Sequence, residues 1–141
     1  NFGTAPVRAV TTPDVFKAAL YLTSATINAS TTAYSASNEV SGTGYSPGGV
    51  TITGSPAWNP PTATNTSTTA GTAFTTPTAS ITYTTVTLTT AFDSVLIYNS
   101  TQSNKSVSVH TFGSQTITAG TFTLTMPANT TAAALLRIAT T

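Results

Sequence analysis

The sequence predicts an all-β protein: a single-domain antiparallel β-sandwich, Ig-like or jelly-roll-like, with long Thr/Pro-rich loops and an N-terminal arm. Three observations predict it. Apolar residues come in short runs that either alternate with polar residues or stay unbroken for four or five positions, the two signatures of half-buried and fully buried strands. Gly/Pro clusters punctuate these runs at close spacing, as in a sandwich or barrel. The dominant polar residue is threonine, whose β-branched side chain suits a pleated surface. Residues 1–13 form the arm and 14–141 the sandwich.

Asn1–Pro13 has no periodicity, and Pro6 and Pro13 break any regular element. Read as an arm that orders against a neighbouring subunit, it offers Phe2, Val7, Arg8 and Val10 as interface residues; the bland reading is a loose terminus. Val15–Leu22 (VFKAALYL) is a strand with Phe16, Ala18, Leu20 and Leu22 on one face and Lys17, Ala19 and Tyr21 on the other. Helical spacing would instead stack Phe16, Ala19 and Leu20. Thr23–Tyr34 is polar loop. Gly42, Gly44, Gly48 and Gly49 then cluster with Pro47. A phosphate cradle would need a Lys-Ser/Thr after the glycines and a strand–loop–helix context, and both are missing. The cluster is a tight loop with glycines at positive φ leading into Val50–Thr53. Glu39, the only glutamate, reads as a solvated carboxylate.

Gly54–Pro77 carries four prolines and a Thr/Ala/Asn tract, so it reads as a long loop that cannot be a central strand. Trp58 lies among those prolines. It either anchors the loop on the core or, if exposed, stacks on sugars or peptides. Ser80–Thr90 alternates, but Ile81 and Tyr83 are out of phase with Val86 and Leu88. One extra residue at Thr84–Thr85 restores the phase, which predicts a β-bulge or a change of sheet. Ser94–Tyr98 has no polar break in VLIY, so it belongs mid-sheet with both faces covered. Asn99–Lys105 is a turn-forming loop, and Ser106–Thr111 closes a hairpin as a half-buried strand. Gln115–Thr118 and Thr121–Met126 follow as two strands joined by an Ala119-Gly120 turn, with Phe122, Leu124 and Met126 facing the core. Ala132–Ala139 is a closing strand in which Leu136 and Ile138 alternate with Arg137.

Charge is the unusual quantity. Only 5 % of residues are charged, against about 25 % in an ordinary soluble domain. Arg8, Asp14, Lys17, Glu39, Asp93, Lys105 and Arg137 are the whole set, with a formal net charge of +1. A protein kept in solution as a free monomer carries more than this. The 39 % hydrophobic content argues against a disordered chain. A β-protein whose surface is mostly hidden in an assembly fits both numbers. Four scattered basic residues make no nucleic-acid patch, and no apolar run approaches the roughly 18 residues of a membrane helix. No signal-peptide pattern is read at the start.

Reactive chemistry is not expected. His110 is the only histidine; a catalytic role would need a nucleophile and an orienting carboxylate such as Asp14 or Asp93 beside it. There is no G-x-S-x-G elbow, and the few His and carboxylates are a poor supply for a metal. His110 is expected on the polar face of its strand, and no cofactor is implied.

Three segments resemble a known group: FKAALYLTSATINASTTAYSASNEVSGTGYSPGGVTITG (Phe16–Gly54), FDSVLIYNSTQSNKSVSVHTFGS (Phe92–Ser114) and AGTFTLTMPANTTAAALLRIA (Ala119–Ala139). Together they resemble a widespread group of small tailed-bacteriophage proteins. The group's pattern is an aromatic-led strand, a tyrosine followed by NEVSGTGY-x-x-GG, a strand ending in L-I-Y-N, a V-x-V-x-x-F-G strand and a late T-F-T-x-x-x-P strand. Asn38–Tyr45 is the most specific piece. The chain departs from the pattern at Pro56–Thr90, which is Thr/Pro-rich where a region richer in Asp is expected. The resemblance implies a virion structural protein, assembled in the host cytoplasm, with no enzymatic residues to carry over. The expected role is a capsid decoration or cement protein whose partners are the major capsid protein and copies of itself. The alternative is a tail fibre, adaptor or receptor-binding part, with Trp58 and Tyr45 exposed to stack on host glycans.

Overall fold

The computed structural model describes residues 13–65 and 69–139. They form seven strands and, among the described residues, no helix: β1 (Phe16–Leu22), β2 (Val50–Thr51), β3 (Thr62–Ala63), β4 (Thr72–Thr75), β5 (Ile81–Asn99), β6 (Lys105–Leu124) and β7 (Leu136–Ala139). Two antiparallel sheets result, one in the order β2-β1-β5-β6 and a smaller one in the order β3-β4-β7, consistent with a β-sandwich.

The strand reading of Val15–Leu22 holds, and the reason is burial on both faces. Ala18 and Leu20 enter the main core, with Phe16 and Leu22 packed against it. Ala19 and Tyr21 enter a second, smaller core with Leu96 and Tyr98, closed by Ala25, Ile27 and Tyr34 of the following loop and by Val109. A helix would have presented one stripe; a strand between two covered faces uses every residue. Ser94–Tyr98 behaves the same way, Val95 and Ile97 facing one core and Leu96 and Tyr98 the other. Leu20, Val95, Leu96 and Ile97, all buried, each contribute about 1.5–3 kcal/mol of transfer free energy.

The hairpin is larger than expected. Ser80–Thr90 and Ser94–Tyr98 are one strand, β5, and the three segments from Ser106 to Met126 are one strand, β6, ending at Leu124. Ala119-Gly120 is not a turn but a bulge. Leu88 lies opposite Ile117 and Val86 opposite Gly120, so Thr118 and Ala119 together face Thr87. Ala119 takes φ 49°, and its N–H donates to Thr87 Oγ1 at 3.0 Å. A left-handed residue before glycine signals a bulge as readily as a turn. The expected bulge at Thr84–Thr85 is present: both residues lie between the pairs Tyr83–Phe122 and Val86–Gly120, with Thr85 at φ 52°.

Larger register breaks lie at Thr89–Ala91 and Phe112–Ser114, where the paired strands turn a corner. The distal half of the hairpin lies back over the near half. The Tyr83 hydroxyl donates to Ala18 O on β1 at 2.8 Å, and the Phe122 ring sits 5.1 Å from Phe92 and 5.4 Å from Phe112. The main core lies between these halves.

Gly54–Pro77 corrects the loop reading. It contains β3 and β4, and β4 is the central strand of the small sheet. The prolines at 56, 60, 61 and 77 fall outside Thr72–Thr75, so none interrupts a ladder. Thr76, fully buried, accepts from the Leu135 N–H at 2.9 Å and ties this tract to the segment that leads into β7. The closing strand is β7, shorter than Ala132–Ala139, with Ile138 73 % exposed.

The Thr85 bulge yields a test. A β-branched residue at positive φ is strained by about 1–2 kcal/mol, partly offset by the entropy of a replacing glycine. Thr85→Gly is expected to raise unfolding stability by roughly 0.5–1 kcal/mol in urea titration. A loss of stability would contradict the bulge geometry.

Candidate functional site

The stretch Asn38–Tyr45 crosses from one layer to the other. Asn38 O accepts from Leu22 N and the Val40 N–H donates to Leu20 O, each at 3.0 Å, so its first half runs beside the end of β1. Thr43 O then accepts from Thr87 N at 2.9 Å, on the distal half of β5. Gly42 permits this approach: a Cβ there would lie 2.0 Å from Thr87 O. Gly49, at φ 73°, is required in the same way, because a Cβ would lie 1.7 Å from Ala18 O.

Glu39 sits inside this crossing and is not a solvated carboxylate; that reading is corrected. One carboxylate oxygen accepts from the Tyr45 hydroxyl at 2.7 Å and from the Gly48 N–H at 2.8 Å, and the other from the Tyr34 hydroxyl at 2.6 Å. The Tyr45 hydroxyl also accepts from Leu20 N at 3.0 Å. Tyr34 stacks on Tyr98 with ring centroids 4.8 Å apart, and the Tyr98 hydroxyl donates to Gly48 O at 2.8 Å. Tyr45 stacks on Tyr83 at 5.9 Å. Tyr21 donates to Ser35 O at 2.5 Å. All five tyrosines of the chain therefore gather around its one glutamate. The glycine loop considered above as an anion cradle does hold an anion, the protein's own. Nothing in the sequence spacing announces this, because Tyr34 and Tyr45 lie five and six residues from Glu39, two separations that no single helix or strand period produces together.

The network raises the phenol pKa values above their ordinary 10.0. Burial is the largest cause for Tyr34, Tyr45 and Tyr83. The hydrogen bond to Glu39 adds to it for Tyr34 and Tyr45, and the nearby negative charge for Tyr83. Tyr21 and Tyr98 move the same way, again mainly through burial. A neutral phenol can donate to the carboxylate; a phenolate beside it would repel.

The interface candidates fare differently. Phe2, Val7, Arg8 and Val10 lie outside the described residues. Tyr45 is 9 % exposed and belongs to the core, so its expected interface role is corrected: its hydroxyl is engaged by Glu39 and Leu20, and its ring by Tyr83. Trp58 is half-buried, edge-on to Phe16 at 5.6 Å. It anchors the tract before β3 on the main core, and its buried indole N–H has no hydrogen-bond partner among the described residues. It also lines an apolar groove of about 240 Å³ with Phe16, Pro61, Thr75, Val107 and Leu136.

A second concavity, about 320 Å³, opens between the two halves of β6; Ile97, His110, Phe112, Phe122, Met126 and Leu135 are among its walls. His110 was expected on a polar face. It stands half-buried at this cleft, its Nε2 2.9 Å from Ser108 Oγ, and burial lowers its pKa. Among the described residues no three His, Cys, Asp or Glu side chains group as they would around a metal ion. Compared with protein-family models, curated proteins and solved structures, the chain matches none.

Two predictions follow from the carboxylate. Glu39→Ala strands two hydroxyls and an amide, at about 1–3 kcal/mol for each buried group left unpaired. It is expected to destabilise by about 3–5 kcal/mol in urea titration, and Glu39→Gln by clearly less. Equal losses, or none, would contradict the network. The second concerns alkali. Unfolded phenols ionise near 10.0, whereas the folded ones keep their protons to higher pH. Their stabilisation is therefore complete below pH 10 and is lost as the pH rises above it. Phenolate absorbance should appear together with loss of β-structure rather than before it.

Proposed function

We propose that this chain is a bacteriophage virion structural protein, most specifically a capsid decoration or cement protein that stabilises the head shell. Its partners are the major capsid protein and copies of itself. The observation that carries the reading is the near-absence of ionic groups, 5 % of residues, on a chain that nevertheless has a packed core. A surface of hydroxyls with so little charge suits a protein covered by neighbours in a symmetric shell. Burial of apolar and hydroxyl surface, rather than ion pairing, would supply the affinity.

The resemblance in Asn38–Tyr45 supports the same reading. Those residues build the crossing between the layers, so a shared pattern there is a shared scaffold. The tract that departs from the pattern, Pro56–Thr90, includes β3, β4, the first half of β5 and part of the wall of the Trp58 groove, namely Trp58, Pro61 and Thr75. In this reading it adapts a common frame to a particular shell. A glycan-binding role needed Tyr45 and Trp58 exposed together, and Tyr45 is buried.

The test uses purified protein and expanded empty capsids of the phage that encodes it. Saturable binding and a raised capsid melting temperature are expected. No binding, or a copy number per virion close to that of tail parts, would contradict the proposal.

A further inference from the structure

Strand β6 is the edge of the large sheet. Among the described residues its only sheet neighbour is β5. Only its first residues are covered on the other side, by the Ala33–Lys105 bridge and the Ser106 N–H donating to Thr32 O at 3.0 Å. Natural edge strands are blunted by charge, proline, bulges or a covering segment. From Ser106 to Leu124 there is no proline and no Asp, Glu, Lys or Arg. Bulges protect part of the edge, at Val107 and at Thr118–Ala119, and the corner at Phe112–Ser114 interrupts it. Between Val107 and the corner the ladder is regular: Ser108, Val109, His110 and Thr111 pair in step with Ile97, Leu96, Val95 and Ser94. Among the described residues this window is straight, uncharged and unpaired on its outer side, with Asn28, Ala29 and Thr31 across a groove from Ser108 and Val109.

We propose that the edge Ser108–Phe112 pairs antiparallel with the same edge of a second copy about a two-fold axis. The inference deepens the assembly reading above and rests on it only for its setting. A foreign strand selected by charge would need a charged residue on this edge to select it, and there is none. A second copy needs none: with a formal net charge of +1 two copies repel little, and an isologous contact requires only self-complementarity. Pairing centred on His110 sets Val109 of each copy opposite Thr111 of the other, and Ser108 opposite Phe112, where the corner begins. Ser108, His110 and Phe112 lie on the side of the main core, where Val95 and Ile97 also point. The apolar cleft beside Phe112 and Phe122 of one copy thus continues into that of the other. The pairing gives the unmet backbone groups partners and covers partly exposed aromatic surface in one step.

Sedimentation of the isolated protein is expected to show a mass rising with concentration from 14.3 kDa toward twice that value. Thr111 borders the cleft but is exposed, and its pairing with Ser94 puts its side chain on the opposite side of the sheet from His110, so Thr111→Lys should leave the melting temperature in place and weaken self-association at least tenfold. Thr51→Lys, on the opposite edge strand β2, should leave it unchanged. On the unsubstituted protein, amide exchange across Ser108–Phe112 should slow as concentration rises, a reading that does not depend on any variant folding. A mass fixed at one copy up to about 1 mM, the weak limit of specific association, would overturn the proposal. So would exchange in this window that ignores concentration, or association lost in Thr51→Lys and kept in Thr111→Lys. None of these results bears on capsid binding, which is measured separately.

Discussion

One carboxylate organises the interior. Glu39 holds the Tyr45 and Tyr34 hydroxyls and the Gly48 amide. Through Tyr45 it reaches the Leu20 amide on β1, and through the Tyr45–Tyr83 stack the distal half of β5. A partly buried charge is stabilising only when its lone pairs are satisfied, and three donors meet that condition here. Hydrogen bonds to a charged acceptor are also stronger than those between neutral groups. The residues that connect the layers are therefore polar, while the residues that fill the space between them are apolar.

That division explains how a hairpin of two long strands makes a sandwich. β5 and β6 pair along their whole length, and the bulges and corners between Tyr83 and Ser94 bend the ribbon so that its halves face one another. Phe92, Phe112 and Phe122 fill the space at the fold. Packing alone would allow the halves to slide. The crossing stretch pins them, because Gly42 and Gly49 bring backbone against backbone at distances no side chain would permit.

The parts legible in the sequence are those where side-chain period decides the outcome. The strand at Val15–Leu22, the two-faced burial of Ser94–Tyr98, the hairpin after Tyr98 and the bulge at Thr84–Thr85 all follow from the pattern of apolar residues and its one break. Four features were hidden. Ala119-Gly120 carries the same residue signal whether the chain reverses or bulges, and only the partner strand distinguishes the two. The strands within Gly54–Pro77 are four residues or shorter, too brief for a period among so many threonines. Glu39 was misread because its donors come from the loop before it and the loop after it, so composition at that point looks like any exposed polar stretch. Tyr45 was misplaced for the same reason: a tyrosine beside glycines looks exposed until its hydroxyl is given an acceptor.

Sparse charge on the surface and a fully engaged carboxylate at the layer crossing belong to the same design. With so few ionic groups, cohesion within the fold rests on burial and on hydroxyl and amide hydrogen bonds, and contacts between copies would rest on them too. The claim on which this account depends is that the Asn38–Tyr45 crossing locks the two layers into one cooperative unit. Native-state hydrogen exchange resolved at the Leu20 and Thr87 amides tests it most directly. The account predicts that both open only with global unfolding, at the same free energy as the amides of β5. Exchange at these two amides through a low-energy local opening, while the β5–β6 ladder stays protected, would contradict it.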